Sequence, residues 1–177
     1  MKNIWPRYLL ILLLSFLSGC WLSPKDSVGN VSSHAELLRS GVYGTRALQE
    51  SSASWITNRT ALEQTYSNLS KHQTEYSGTL PEIDFKKYGI LFLEMGQRPT
   101  GGYTINFDPS LSCVVDKTSV IRVIWKTPKD GVIVTQAVTS PFMLLIIRHV
   151  DITSISVMDQ NEQSLFELSI KSRNDFM

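Results

Sequence analysis

Hydrophobic positions along the chain form one short unbroken block near the start and then a series of strand-like runs in the second half. Leu9 to Leu14 is wholly apolar. Residues 20–41 contain Ser, Gly, Asn and single charges with little periodicity, the composition of a flexible tether ahead of a folded domain. Val42 to Leu48 and Ala53 to Thr57 alternate loosely as strands, with Trp55 and Ile56 the strongest burial candidates. Asn58 or Thr60 then caps a helix in which Leu62, Tyr66 and Leu69, at spacings of four and three, form one apolar face. That helix ends before Gly78 and Pro81.

After Pro81 the period changes. Ile90, Leu91, Phe92 and Leu93, within Tyr88 to Met95, make a nearly continuous apolar run that predicts a strand covered on both faces. Tyr103, Ile105 and Phe107 alternate with Thr104 and Asn106, and Asp108-Pro109-Ser110 reads as the closing turn. Ser119 to Lys126, Val132 to Thr139, Met143 to His149, Ile152 to Met158 and Leu165 to Ile170 continue the series between turn signals. The pattern predicts a mainly β domain over residues 42–177, an antiparallel β-sandwich or open barrel with one helix near its N-terminal side.

The first apolar block is too short for a hydrocarbon layer about 30 Å thick, which needs roughly 20 apolar residues. It follows Lys2 and Arg7 with no acidic residue, the layout of a secretory signal. Leu17, Ser18, Gly19 and Cys20 resemble the lipobox of bacterial lipoproteins, which implies a signal peptide over residues 1–19 and acylation of Cys20. Several acyl chains hold a protein firmly, at about 0.8 kcal/mol per buried methylene. Residue 21 is Trp and not the Asp that resembles an inner-membrane retention signal, so the expected address is the outer membrane, facing the periplasm. Removing the leader takes away two of 17 basic residues and none of 16 acidic ones, and 15 − 16 leaves a net charge of −1. That balance gives no reason to expect nucleic acid as a partner.

Chemistry-bearing patterns are few. There is no paired-histidine zinc helix, no phosphate loop, no Gly-x-Ser-x-Gly elbow and no spaced cysteine cluster. With Cys20 acylated, Cys113 stands alone and reads as a buried core thiol. His34, His72 and His149 stand apart and read as solvated or structural. The carboxylates Glu82, Asp84, Asp159 and Glu162 read as solvated loop groups. No catalytic residue, metal or cofactor is expected, and no enzyme.

One segment rises above this background: Gly96-Gln97-Arg98-Pro99-Thr100-Gly101-Gly102-Tyr103, between two strands. Pro99 fixes its own φ and pushes Arg98 toward extended geometry, while Gly101 and Gly102 tolerate positive φ. Together with Val134-Thr135-Gln136-Ala137-Val138-Thr139-Ser140-Pro141-Phe142 downstream, it resembles the paired signature of the PrcB C-terminal domain family, over roughly Asp84 to Arg148. Members are bacterial envelope or secreted proteins, often lipoproteins, and the founding member assists a surface protease complex. The resemblance implies a non-catalytic protein-binding module, an accessory or stabilising subunit for a protease. Its contacts would come from Arg98, Pro99, Thr100, Gly101, Gly102, Tyr103, Gln136, Thr139, Ser140, Pro141 and Phe142. Residues Cys113 to Gly131 lack the acidic, Gly-Pro-rich hairpin of many relatives, so the resemblance does not name the partner.

Arg98 to Tyr103 is also similar to the Asn-Pro-Thr-Thr-Gly-Tyr loop of chagasin-type cysteine peptidase inhibitors, with Arg98 in place of Asn and Gly101 in place of Thr. That likeness implies an inhibitor that inserts a pre-ordered loop into an enzyme cleft. The third reading is an envelope lipoprotein whose loop serves only its own fold. Burial separates them: the two segments side by side with exposed side chains favour a binding edge, whereas Tyr103 and Phe142 in the core favour architecture. A Gln136 bond to the Gly101-Gly102 backbone would make that side chain a brace.

Overall fold

The computed structural model describes residues 34–45, 49–71 and 79–170. The expected signal peptide, Cys20 and His72 lie outside the described residues. The element order is β1 (Ala35–Gly41), β2 (Ser52–Ile56), α1 (Arg59–Ser70), β3 (Tyr88–Glu94), β4 (Thr104–Val115), β5 (Thr118–Lys126), β6 (Phe142–Arg148), β7 (Ser154–Met158) and β8 (Ser164–Ser169). The strands form two four-stranded sheets, β1-β6-β3-β2 and β4-β5-β7-β8. The expected sandwich is present and the barrel alternative is not, because the sheets do not close on one another. All pairings are antiparallel except β5 with β7.

The unbroken apolar runs in β3 and β6 have a direct cause. Alternate side chains leave opposite faces of a strand. Leu91, Leu93, Met143, Leu145 and Ile147 enter the core between the sheets, against Ile105, Ile121, Val123, Ile155 and Val157. Ile90, Phe92, Phe142 and Leu144 face the other way and meet Leu62, Tyr66 and Leu69 of α1. The helix thus covers what would otherwise be an exposed apolar sheet face. It starts where Asn58, extended at φ −149°, accepts a 2.9 Å bond from Ala61 N through Oδ1, satisfying one of the open first-turn donors. Asn58, and not Thr60, is therefore the cap.

Three expected boundaries need correction. Ala35–Gly41, placed with the tether, is a full strand on β6, running from Ala35↔Ile147 to Gly41↔Phe142. A register shift between Leu37 and Arg39 breaks its alternation, which hides an edge strand from a period-two reading. Asp108-Pro109-Ser110 does not end β4; the strand continues to Val115 across an irregularity between Asp108 and Cys113. Proline is tolerated because β4 is an edge strand, and Asp108 Oδ1 accepts from Ser110 N at 3.0 Å and Ser110 Oγ at 2.6 Å. Val132 to Thr139 is not a strand: residues 127–138 form a long connection, followed by a single bridge from Thr139 to Arg98.

The sandwich has two ends. The starts of β1 and β3 share one with the end of β6, since Ala35 pairs with Ile147 and Tyr88 with Arg148. The β4–β5 turn belongs to this end too, because Lys117 O accepts Thr153 N at 2.8 Å in the connection that follows β6. We call it the proximal end. Gly41, Glu94 and Phe142 meet at the other, distal end, from which the segments 95–103 and 127–141 emerge.

Candidate functional site at the distal end

The two signature segments do lie side by side. Arg98 N donates to Thr139 O at 2.8 Å and Thr139 N returns to Arg98 O at 2.9 Å, a small antiparallel bridge. Thr139 Oγ1 donates to Thr100 O at 2.8 Å, and Gly101 N to Thr135 O at 2.8 Å. Met95 N donates to Pro141 O at 2.8 Å. Each bond satisfies a backbone group that a loop would otherwise leave to solvent.

Beneath the bridge sits a buried carboxyl group that the sequence reading passed over. Glu94, 1 % exposed, closes the apolar strand β3. It accepts from Ser140 Oγ at 3.0 Å, from Thr45 Oγ1 at 2.7 Å and from Thr45 N. Gly44 N donates to Ser140 O at 2.6 Å, and a Cβ on Gly44 would stand 2.1 Å from Glu94 Oε1. One carboxyl group therefore ties the chain after β1, the end of β3 and the approach to β6 into one knot. Its signal was an acidic residue ending an otherwise apolar, doubly covered strand.

The glycines divide the work unevenly. Gly102 has φ +85°, and an added Cβ would lie 3.0 Å from Val134 Cγ1 and 3.1 Å from Pro128 Cβ. Gly101 does not adopt positive φ; its constraint is the approach to Thr135 Cβ, 3.3 Å from an added Cβ. Gly96, at φ +74°, is held tightest, since a Cβ there would meet Glu50 O at 2.4 Å.

Burial sorts the expected contact residues. Phe142 is 1 % exposed in the core under α1, and Thr139, Ser140 and Pro141 are buried with it. These four side chains are engaged within the domain itself. Tyr103 is half-buried against the core between the sheets, with the Arg98 guanidinium 5.8 Å over its ring. Arg98 Nη2 also donates to Met95 O at 2.6 Å, so this arginine braces its own loop. Gln136 is exposed and donates to Val134 O, at 3.3 Å; Gly101 N donates to Thr135 O instead, so the Gln136 side chain is not a brace for that backbone. Pro99 and Gly102 remain exposed, with Thr100 and Gly101 half-buried.

An exposed apolar stretch lies one step upstream, where the sequence suggested a strand. Ile133 is 99 % exposed, Val132 56 % and Val138 48 %. A β-branched run that joins no ladder presents its side chains to solvent beside the braced loop. Its composition was legible, but it read as sheet because propensity reports a fit to pleated surface and not the presence of a neighbouring strand.

Other candidates resolve as structure. Asp159, expected to be solvated, is buried and accepts from Asn161 N at 2.8 Å and Gln163 N at 2.9 Å, organising the β7–β8 turn. Glu82, Asp84 and Glu162 are exposed, and Cys113 is half-buried on β4 and not in the core. His149 Nε2 lies 3.3 Å from Phe85 O, with its ring edge-on to Trp55. Burial holds the His34 imidazole below its ordinary pKa. Among the described residues no group of three or more His, Cys, Asp or Glu side chains is placed to hold a metal ion, and no helix is long and apolar enough to cross a membrane.

Residues 90–148 match the family model described as PrcB C-terminal. No curated protein and no solved structure matches the chain. The matched span runs from β3 through β6 and contains both signature segments, the Glu94 knot beneath them and the exposed 132–138 run. Over residues 90–148 the chain is similar to the PrcB C-terminal family, and this stretch contributes strands to both sheets of the sandwich.

Proposed function

We propose that this protein is a membrane-anchored envelope lipoprotein that acts as a non-catalytic protein-binding module, an accessory subunit that stabilises a protease. The family match carries the reading, because it covers the part of the chain that builds the distal end. Cys20, in its lipobox-like setting, is the proposed anchor, in the outer membrane facing the periplasm. The binding edge consists of Pro99 and Gly102 with Val132, Ile133 and Val138, which combine pre-ordered backbone with exposed apolar side chains. Arg98, Tyr103, Thr139, Ser140, Pro141 and Phe142 hold the edge in shape.

The alternative of a chagasin-type inhibitor fares less well on geometry. Arg98 and Tyr103 are engaged with their own loop and the core, which leaves little of the Arg98–Tyr103 hairpin to enter a cleft.

The test is affinity capture from envelope extract with the wild-type chain and an Ile133→Asp, Val138→Asp variant, followed by an assay of any captured protease. Recovery of a protease by wild type alone, with a longer active lifetime in its presence, is the expected result. A captured protease whose activity falls would favour inhibition, and equal capture by both chains would remove the distal edge from the interface. Separately, Cys20→Ala should release the chain from the membrane fraction, and retention after a carbonate wash would defeat the anchor.

A further inference from the structure

The proximal end carries a surface of its own, unrelated to the signature segments. Val114 and Val115 lie where the β4–β5 hairpin turns through Asp116 and Lys117, both at positive φ, and Val150 lies in the neighbouring β6–β7 connection. All three are exposed. Successive strand residues point to opposite faces. Exposure of Val114 and Val115 together therefore means that neither face of the hairpin end is covered by another layer.

On the elements that meet at this end, Lys86, Lys87, Lys117 and Arg148 are exposed, as are Glu36, Asp84, Asp116 and Asp151. Among the described residues this end carries apolar tips, long aliphatic stems and charges of both signs. The chain also enters the domain here: Arg148 N donates to His34 O at 2.9 Å, immediately before β1. Cys20 precedes His34 by 14 residues, which limits the reach of that segment to about 50 Å even when fully extended.

We infer that the proximal end rests on the lipid bilayer, with Val114, Val115 and Val150 at the boundary between headgroups and acyl chains. The distal edge then faces away from the membrane. This rests on the lipid-anchor reading above. An anchored domain needs little intrinsic affinity for the bilayer, since its contact is intramolecular once Cys20 is inserted. The seven residues of β3, at about 3.3 Å each, would hold the distal loops roughly 23 Å beyond the proximal end, clear of the lipid and open to a partner.

The test uses the lipidated full chain in phosphatidylcholine vesicles, carrying Cys113→Ser and a spin label at Val115→Cys or, for comparison, Ile133→Cys. Collision with oxygen, which partitions into lipid, is measured against collision with a water-soluble nickel chelate. The expected result is a several-fold rise in the oxygen-to-nickel ratio at position 115 over the Cys20→Ala chain in buffer, no change at 133, and no loss at about 0.5 M salt. Nickel accessibility at 115 equal to that at 133, in a chain that floats with the vesicles, would overturn the inference. So would contact that requires phosphatidylglycerol and disappears in salt, which would assign it to the lysines. Protection of 115 without lipid, rising with protein concentration, would assign the surface to a second copy and also overturn it. A chain that fails to float fails the anchor reading first, and this inference falls with it.

Discussion

Thr139 to Phe142 is buried and bonded on both sides, whereas Val132 to Val138, its immediate neighbour in the chain, turns three branched apolar side chains toward solvent. The two stretches look alike in sequence, since both mix apolar and small polar residues. They differ in what lies opposite. Thr139 finds the Arg98 backbone and Ser140 finds Glu94, while Phe142 finds the face of α1. Ile133 finds nothing. The most recognisable residues of the segment therefore preserve a shape, and its least distinctive ones are left for contact. If that division holds, substitutions in the first stretch act on stability and those in the second act on binding.

The strongest way to break the comparison is Phe142→Ala. Its ring fills the space between β6 and α1, beside Phe92 at 6.3 Å between centroids and under Arg39 at 5.6 Å. The expected loss is about 3–5 kcal/mol, read from denaturant unfolding. A loss under about 1 kcal/mol would mean that the site collapses around the cavity and that this half of the segment is not structural.

Gly102→Val comes next, at about 1–3 kcal/mol, because a branched side chain must take φ +85° and press on Val134 and Pro128. Gly101→Ala sharpens the point. Its φ is ordinary and its Cβ would sit in a tight but possible contact with Thr135, so it should cost less than Gly102→Val. Equal costs would show that crowding, and not the left-handed backbone, dominates the loop.

These differences show what was legible in the chain. The helix face, the doubly covered strand β3, the existence of β6 and the mainly β class followed from periodicity, because burial on one or two faces leaves a direct mark on the alternation. The strand β1, the continuation of β4 and the loop 127–138 did not, because each depends on a long-range partner. Gly41 meets Phe142 across about a hundred residues, and no local pattern states that Ile133 lacks such a neighbour. Turn-forming Pro99, Gly101 and Gly102 drew attention to Arg98 to Tyr103, the family resemblance paired it with Thr139 to Phe142, and burial shows which of those side chains are already engaged within the domain.

A pH titration supplies a control from the far end of the molecule. Burial lowers the pKa of His34 below 6.5, so the folded chain favours the neutral ring while the unfolded chain binds a proton more readily. The resulting stability is present in full above pH 6.5 and is lost as pH falls from there through the folded value. Hydrogen exchange should therefore quicken first near His34 and Arg148, with the Arg98–Thr139 bridge unaffected. His34→Gln should flatten that part of the profile, and a wild-type profile in the variant would assign the acid sensitivity elsewhere.

The smallest expected change in stability belongs to Ile133→Asp, and it decides most about function. The side chain is 99 % exposed, so its removal gives up no core contact and should move stability by less than about 0.5 kcal/mol. If Ile133 anchors a partner, the same change buries a carboxylate against an apolar surface and should abolish capture. The melting temperature and the binding signal thus separate in this variant, whereas in Phe142→Ala they fall together. A chain that keeps both its stability and its binding after Ile133→Asp would place the interface elsewhere, and the contrast between the two halves of the segment would then describe architecture alone.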